Sequence, residues 1–330
     1  MSQPETGQPA PTQGLRKQLQ QSYRQAPWLF WLRAAYFLIV VGVLVFYREI
    51  WTPDVLFLIF LGVFVLYGLG KDYLLHFGPF VVLLVSYDSL RSIVPLINSR
   101  VHYFPQINFD RWVGHGTLPT AWLQHLLYHG YLTWYDYYFY ILYMCHFLTP
   151  LIVALLIWRL RPRLYVRYVL GFVLLSYAGF ATYVAFPAAP PWMASDLGLI
   201  PHIQQISSDV WWALGIHGFP SIYEKLDPNN VAAVPSLHAA YPTLMWLYIT
   251  QAFGRRWGLA LVWYPVSMWV GVVYLGEHYV FDVVLGVIYA AVAFATINAL
   301  ANRYAARARS LRKDWQGRRR EPAAALPVTD

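Results

Sequence analysis

The chain has 330 residues, of which 58% are hydrophobic and only 12% charged, with a mean hydropathy of +0.41. Soluble domains carry about 25% charged residues, so the composition excludes an ordinary soluble globule and points to a membrane protein. A single cysteine, Cys145, excludes an internal disulfide and the Cys/His spacing of a structural zinc site.

Crossing the hydrocarbon core takes about 20 mostly apolar residues. In chain order, segments of that kind fall near 28–47, 53–70, 73–95, 137–158, 164–186, 237–253, 257–276 and 279–300. They predict an all-α, polytopic transmembrane bundle of about eight spans, the second and third joined only by Lys71-Asp72. The first segment is too long for a signal-peptide core and lacks a small-residue cleavage site, so it reads as a retained span. Residues 96–136 form an outer loop with an interfacial helix, Leu118–His129. There Leu118, Trp122, Leu123, Leu126 and Leu127 share a face, while Gln124, His125 and His129 point elsewhere. Residues 187–236, rich in Pro, Gly, Asp and Asn, read as a lid or rim. No internal repeat is visible. The organisation expected is a disordered tail (1–22), N-terminal spans (23–95), the outer loop (96–136), a catalytic transmembrane core (137–300) and a basic tail (301–330), disordered from 321.

The formal charge is +8. With the N-terminus placed in the cytoplasm, 19 of the 24 Lys and Arg residues fall on the inner side, leaving Arg48, Arg91, Arg100, Arg111 and Lys225 outside. Both termini are then cytoplasmic, and the run Arg303–Arg320 reads as a topology anchor near anionic lipid. Membrane lipids, and no nucleic acid, are the expected partners.

The chemistry-bearing residues gather at the outer level. His278-Tyr-Val-Phe-Asp282 opens the last span, and its i, i+4 spacing puts imidazole and carboxylate on one helix face. A carboxylate holding Nδ1–H leaves Nε2 as base or nucleophile. Asp282 precedes eighteen residues whose only polar side chains are Tyr289, Thr296 and Asn298. An ionisable group there costs about 2.5–3.5 kcal/mol to insert, which argues for a purpose; a structural pair joining helices is the alternative. Pro235-Ser236-Leu237-His238 opens the sixth span, with proline suited to a first helical turn and free N–H groups able to meet a phosphate. Phe186-Pro187-Ala-Ala-Pro190-Pro191-Trp192 ends the fifth span in a rigid, extended segment. Tyr87-Asp88-Ser-Leu-Arg91 ends the third, and Arg91 is a natural partner for a phosphate or for Asp88. In the fourth span, spacing leaves open whether His146 and Asp136 face the cluster.

On these residues the sequence resembles the type 2 phosphatidic acid phosphatase superfamily. The segment ending in His238 and His278-xxx-Asp282 look like its second and third motifs. Phe186–Trp192, Ala233–His238, Tyr274-Leu-Gly-Glu277-His278-Tyr and His146-Phe-xx-Pro150 look most like its inositol phosphorylceramide synthase branch. The resemblance covers roughly residues 137–290. Two departures stand out. Phe186–Trp192 replaces a first motif that supplies a Lys and an Arg-Pro pair, and Val272 stands where the third motif carries an Arg. A site with so few cations suits a phosphodiester, with one negative charge, better than a phosphomonoester dianion. Glu277 stands where the fungal synthases tend to have another His, a position that bears on head-group and acceptor specificity.

The resemblance implies a six-helix catalytic core and metal-independent phosphoryl chemistry at the non-cytoplasmic leaflet, without a cofactor. His278, oriented by Asp282, would be nucleophile or base, and His238 the general acid. Tyr87, Asp88, Arg91, His146, Phe186, Pro187, Pro190, Pro191, Trp192, Ser236 and Glu277 are the candidate substrate contacts. The expected reaction moves a phosphoinositol-like group from a phospholipid donor to a lipid-alcohol acceptor such as ceramide; a lipid phosphatase would use water instead. A transporter with a His/Asp proton relay is the alternative of another class, but such sites sit at the midplane between repeats.

Overall fold

The structure, a computed structural model, describes residues 20, 23–24, 26–46, 53–91, 93–146, 148–214 and 229–318. The expected tails at 1–22 and 321–330 lie outside the described residues apart from Gln20 and its neighbourhood, as does Lys225. The described chain is helical throughout and forms no strand, only isolated bridges joining His102 to Ala188 and Ala188 to Ala232.

The N-terminal helices are α1 (Pro27–Phe46), α2 (Pro53–Leu66) and α3 (Gly70–Arg91). The outer segment holds α4 (Val94–Ile97), α5 (Phe104–Val113) and α6 (Pro119–Leu127). Then come α7 (Trp134–Cys145), α8 (Thr149–Leu160), α9 (Pro162–Ala185), α10 (Pro191–Asp196) and α11 (Ile206–Ala213). The chain ends with α12 (Leu237–Phe253), α13 (Arg255–Leu261), α14 (Trp263–Tyr274) and α15 (Val280–Arg318). Proline opens α1, α2, α6, α9 and α10, at the position where its missing N–H costs nothing.

Four helical stretches are long and apolar enough to cross a membrane: Gly70–Arg91, Pro162–Ala185, Arg255–Tyr274 and Val280–Leu311. The expected fourth span is instead two helices, α7 and α8, bent by 57° at a short break that contains His146; counted as one, they make a fifth. Among the described residues, length and composition thus support four or five of the expected spans, α2 and α12 being shorter at 14 and 17 residues. The last helix also departs from expectation. It runs 39 residues without a break at 300, about 58 Å at 1.5 Å per residue against a hydrocarbon core of about 30 Å. Its basic stretch to Arg318 therefore continues the span as helix.

Exposed apolar side chains on these helices, among them Leu75, Val82, Val166, Leu170, Ile288 and Val292, give the surface that lipid requires. Inside, Phe64, Tyr73, Phe77, Leu151, Ile157, Tyr168, Phe172, Leu244 and Tyr248 form the main core between α2, α3, α8, α9, α12 and α15. The most extensive pairing is α12 against α15, and α9 packs on both. Gly286 makes the first contact possible: a Cβ there would lie 2.3 Å from the backbone oxygen of Ser236. Small residues let membrane helices approach this closely.

One sequence expectation about a polar side chain is corrected, and one question left open is decided. On α6, Gln124 is buried while Trp122 and Leu126 are exposed. The reason is hydrogen bonding: the Gln124 amide donates to the carbonyls of Gln204 and Tyr274, and its oxygen accepts from Gln204 N–H. Asp136, a possible member of the cluster, instead caps α7 by accepting from Thr133 N–H and Oγ1 at 2.6 Å each, and takes Tyr274 OH at 2.5 Å.

Gly286→Ala is expected to lower stability by about 1–3 kcal/mol, since the new methyl meets backbone rather than a movable side chain. Gly78→Ala, whose Cβ would meet the Leu74 side chain at 3.8 Å, should stay within about 0.5 kcal/mol. Thermal unfolding in detergent checks the pair, and equal midpoints would sink the close-contact argument.

Candidate active site

The loop 275–279 and the first turn of α15 present His278 and Asp282. Gly276 turns the chain with φ +83°, a conformation that glycine adopts without strain. The outer elements fasten this loop at successive carbonyls: Tyr274 O accepts from Gln124, Leu275 O from Ile206 N–H, and Gly276 O from Trp192 N–H. Glu277, buried, accepts from Gln205 Nε2 at 3.2 Å and closely from the Ser207 hydroxyl.

Asp282 is fully buried. Its Oδ2 lies 3.3 Å from His278 Nδ1 and accepts Tyr279 N–H at 2.9 Å. Its Oδ1 makes no hydrogen bond among the described residues. Carboxylate and imidazole therefore meet, although His278 lies in the loop just before α15 and not on a shared helix face as the spacing predicted.

His238 comes from the first turn of α12. Ser236 caps that helix, its hydroxyl accepting from Ala239 N–H at 3.3 Å, and Ser236 N–H donates to Asp282 O at 3.0 Å. That backbone bond ties the two helix starts together. Across it, His238 Nδ1 stands 3.2 Å from His278 Nε2. The hydroxyl of Ser236 is engaged in the cap rather than pointing into an open site.

The break between α7 and α8 brings in a third imidazole. The centroid of His146 is 4.0 Å from that of His238, and its Nδ1 is held by Tyr143 O at 2.8 Å. Tyr143 stacks on the other side of the group, 4.2 Å from His238 with rings 15° apart. Sequence reasoning missed Tyr143, although its position three residues before His146 on one helix face was visible. The Arg91 guanidinium, at the end of α3, lies near enough for its charge to act on both His146 and His238. Tyr87, one turn earlier, is buried against Tyr177. Asp88 lies on α3, but its side chain is outside the described residues.

The segment Phe186–Pro190 is extended, as expected, whereas Pro191 and Trp192 already open α10. Phe186 stacks on His102 at 4.0 Å, and Pro187 O accepts from His102 N–H. Ala188 bridges to the 231–233 segment. Pro187, Pro190 and Pro191 are buried as structural packing, and Trp192 connects to the site through Gly276.

Asp110, on α5, was also missed. It is fully buried, and its two carboxylate oxygens accept Val280 N–H and Phe281 N–H, each at 3.0 Å. Burial pushes its carboxyl up to about 6, with the two amide bonds opposing and the charge of Asp282 adding to the rise. No sequence pattern links residue 110 to residue 280. Among the described residues no three His, Cys, Asp or Glu side chains are placed as metal ligands.

The assembly has an oriented imidazole, a second imidazole within hydrogen-bond reach of it, and a nearby guanidinium. It can attack, protonate and neutralise a phosphoester. Comparison with known proteins agrees with that chemistry. The family model described as the PAP2 superfamily matches residues 107–296. A phosphoinositol dihydroceramide synthase from Bacteroides thetaiotaomicron is 30% identical over 223 residues, covering 63% of this chain and 71% of that protein. No solved structure matches. The chain belongs to the PAP2 superfamily and is an integral membrane enzyme of phosphoester chemistry, a phosphotransferase or lipid phosphatase.

Proposed function

We propose that the protein is a lipid phosphotransferase, moving a phosphoinositol-like head group from a phospholipid to a lipid alcohol such as ceramide. The observation that carries this reading is the 3.2 Å approach of His238 Nδ1 to His278 Nε2, with Asp282 behind the second ring. Asp282 accepts a hydrogen bond from His278 Nδ1–H and so keeps the lone pair on Nε2. That nitrogen attacks the donor phosphorus. The bond from phosphorus to the diacylglycerol oxygen breaks as His238 gives that oxygen its proton. The acceptor hydroxyl then attacks the phosphohistidine, its proton passes to His238, and the phosphorus–nitrogen bond breaks. The cycle closes with both histidines restored.

Charge supports the choice of substrate. The first-motif position has no cation and Val272 fills the other clamp position, so Arg91 supplies positive charge from a helix outside the family-matched segment. One guanidinium suits the single charge of a phosphodiester. Tyr87, Asp88, His146, Glu277 and Trp192 are the contacts for the head group. Phe186, Pro187, Pro190 and Pro191 shape the wall, and the start of α12 at Ser236 turns its amides to the phosphate. The name of the Bacteroides relative supports phosphoinositol and a ceramide-type acceptor. The distribution of Lys and Arg favours cytoplasmic termini and a site on the non-cytoplasmic face. Residues 137–300 then form the catalytic core, with the outer segment as its cover.

Incubating the protein with head-group-labelled phosphatidylinositol, with and without ceramide, tests the reaction. Labelled lipid product should appear only with acceptor, and an acid-labile label on the wild-type protein should be lost in His278→Ala. His238→Ala should slow turnover about 100- to 10,000-fold. Release of free inositol phosphate alone, whatever the acceptor, would replace the transferase by a phosphatase. Arg91→Ala should lower kcat/KM about 10- to 100-fold, with Arg91→Lys intermediate. Equal effects on phosphomonoester and phosphodiester substrates would remove the charge argument. Finally, a cysteine introduced at exposed His129 of a Cys145-free variant should react with an impermeant maleimide from outside intact cells. One at Tyr304 should react only after lysis, and the reverse pattern would invert the proposed orientation.

A further inference from the structure

We propose that Asp110 is a positioning residue for this reaction, holding the first turn of α15 so that Asp282 and His278 stay turned toward His238, and placing a second negative charge behind the pair. The proposal rests on the reading above for the chemistry performed, and on the geometry alone for the role. Asp110 is delivered by α5, 170 residues before the amide it binds. A helix leaves its first N–H groups without intrahelical partners. Here the Val280 and Phe281 amides find both oxygens of one buried carboxylate. A nearby serine or aspartate on the chain itself would satisfy an ordinary helix end, so an acceptor brought from another helix has a further consequence.

That consequence lies at the next residue. The Tyr279 amide goes to Asp282 Oδ2, which also meets His278. With the following two amides saturated by Asp110, the positive end of α15 draws less on the Asp282 carboxylate. Asp282 is then free to hold the His278 proton. Asp110 and Asp282 are close enough to feel each other's charge, and Arg111, on the same helix as Asp110, and Tyr279 complete that surrounding. When Nε2 attacks phosphorus, positive charge builds on the His278 ring, and fixed negative charge behind it stabilises that state. Both carboxylate oxygens of Asp110 bind amides of α15, so it acts through that helix.

Two variants separate the parts. Asp110→Asn keeps the shape and loses the charge. Val280→Pro removes one N–H at a position where proline is compatible with a helix start, and keeps the charge. In the full-length protein in nanodiscs, Asp110→Asn is expected to lower kcat about tenfold with KM nearly unchanged, and Val280→Pro to lower it about threefold. A second readout needs no substrate. The rate at which diethyl pyrocarbonate acylates His278, followed by mass spectrometry, should fall about fivefold in Asp110→Asn. A cap with only a structural role would fray the helix end on mutation and speed that modification, so an equal or faster rate overturns the proposal. So does a loss carried by KM, or a kcat per folded molecule equal to wild type. If the wild-type protein transfers no head group, the transferase reading falls, and the acylation rates still decide the role of Asp110.

Discussion

The backbone bond from Ser236 N–H to Asp282 O fastens the start of α12 to the start of α15, and the rest of the site hangs on it. His238 is two residues beyond one partner, and His278 four residues before the other. Neither helix alone brings an imidazole to an imidazole. The crossing is this tight because Gly286 has no side chain to hold Ser236 O away. Two further polar groups in the neighbourhood secure the helix starts that meet there. The Ser236 hydroxyl caps α12, and Asp110 takes the amides of α15.

The outer segment is therefore more than a cover. Gln124, Trp192 and Ile206 each bind a carbonyl or amide of the loop that carries His278. A histidine on a loop at the end of an apolar helix would otherwise be free to swing, because lipid supplies few hydrogen-bond partners. The enzyme solves this with protein groups from three separate outer stretches. Those groups lie outside the four longest apolar helices.

On the opposite side, Tyr143 and His146 press on His238 from the broken span. The 57° bend between α7 and α8 is what lets a residue from this span reach the cluster. Stacking fixes the plane of the His238 ring, and the fixed plane directs its Nδ1 at His278. Arg91 enters from α3, a helix that the family match does not include. The N-terminal part of the chain thus contributes charge to a core that is otherwise poor in cations.

Several of these features follow from the sequence alone. Long apolar blocks and a charge deficit determine a membrane protein, since only hydrocarbon accepts such stretches. The short spacing determines the His278–Asp282 pair, because a carboxylate in the first turn of a helix reaches back to the residues just before it, as Asp282 does to Tyr279 N–H and His278. Pro235 and Ser236 determine where α12 begins, again by local backbone chemistry. The break in the fourth apolar segment was not legible: a bent pair of helices differs from one straight span in geometry, not in composition. The face of α6 was misread because Gln124 is buried by partners 80 and 150 residues away. The fate of Asp136, the stacking of Tyr143, the reach of Arg91 and the cap from Asp110 belong to the same class. Each is a contact between distant parts of the chain, and only the packed tertiary structure decides which distant groups share a helix end.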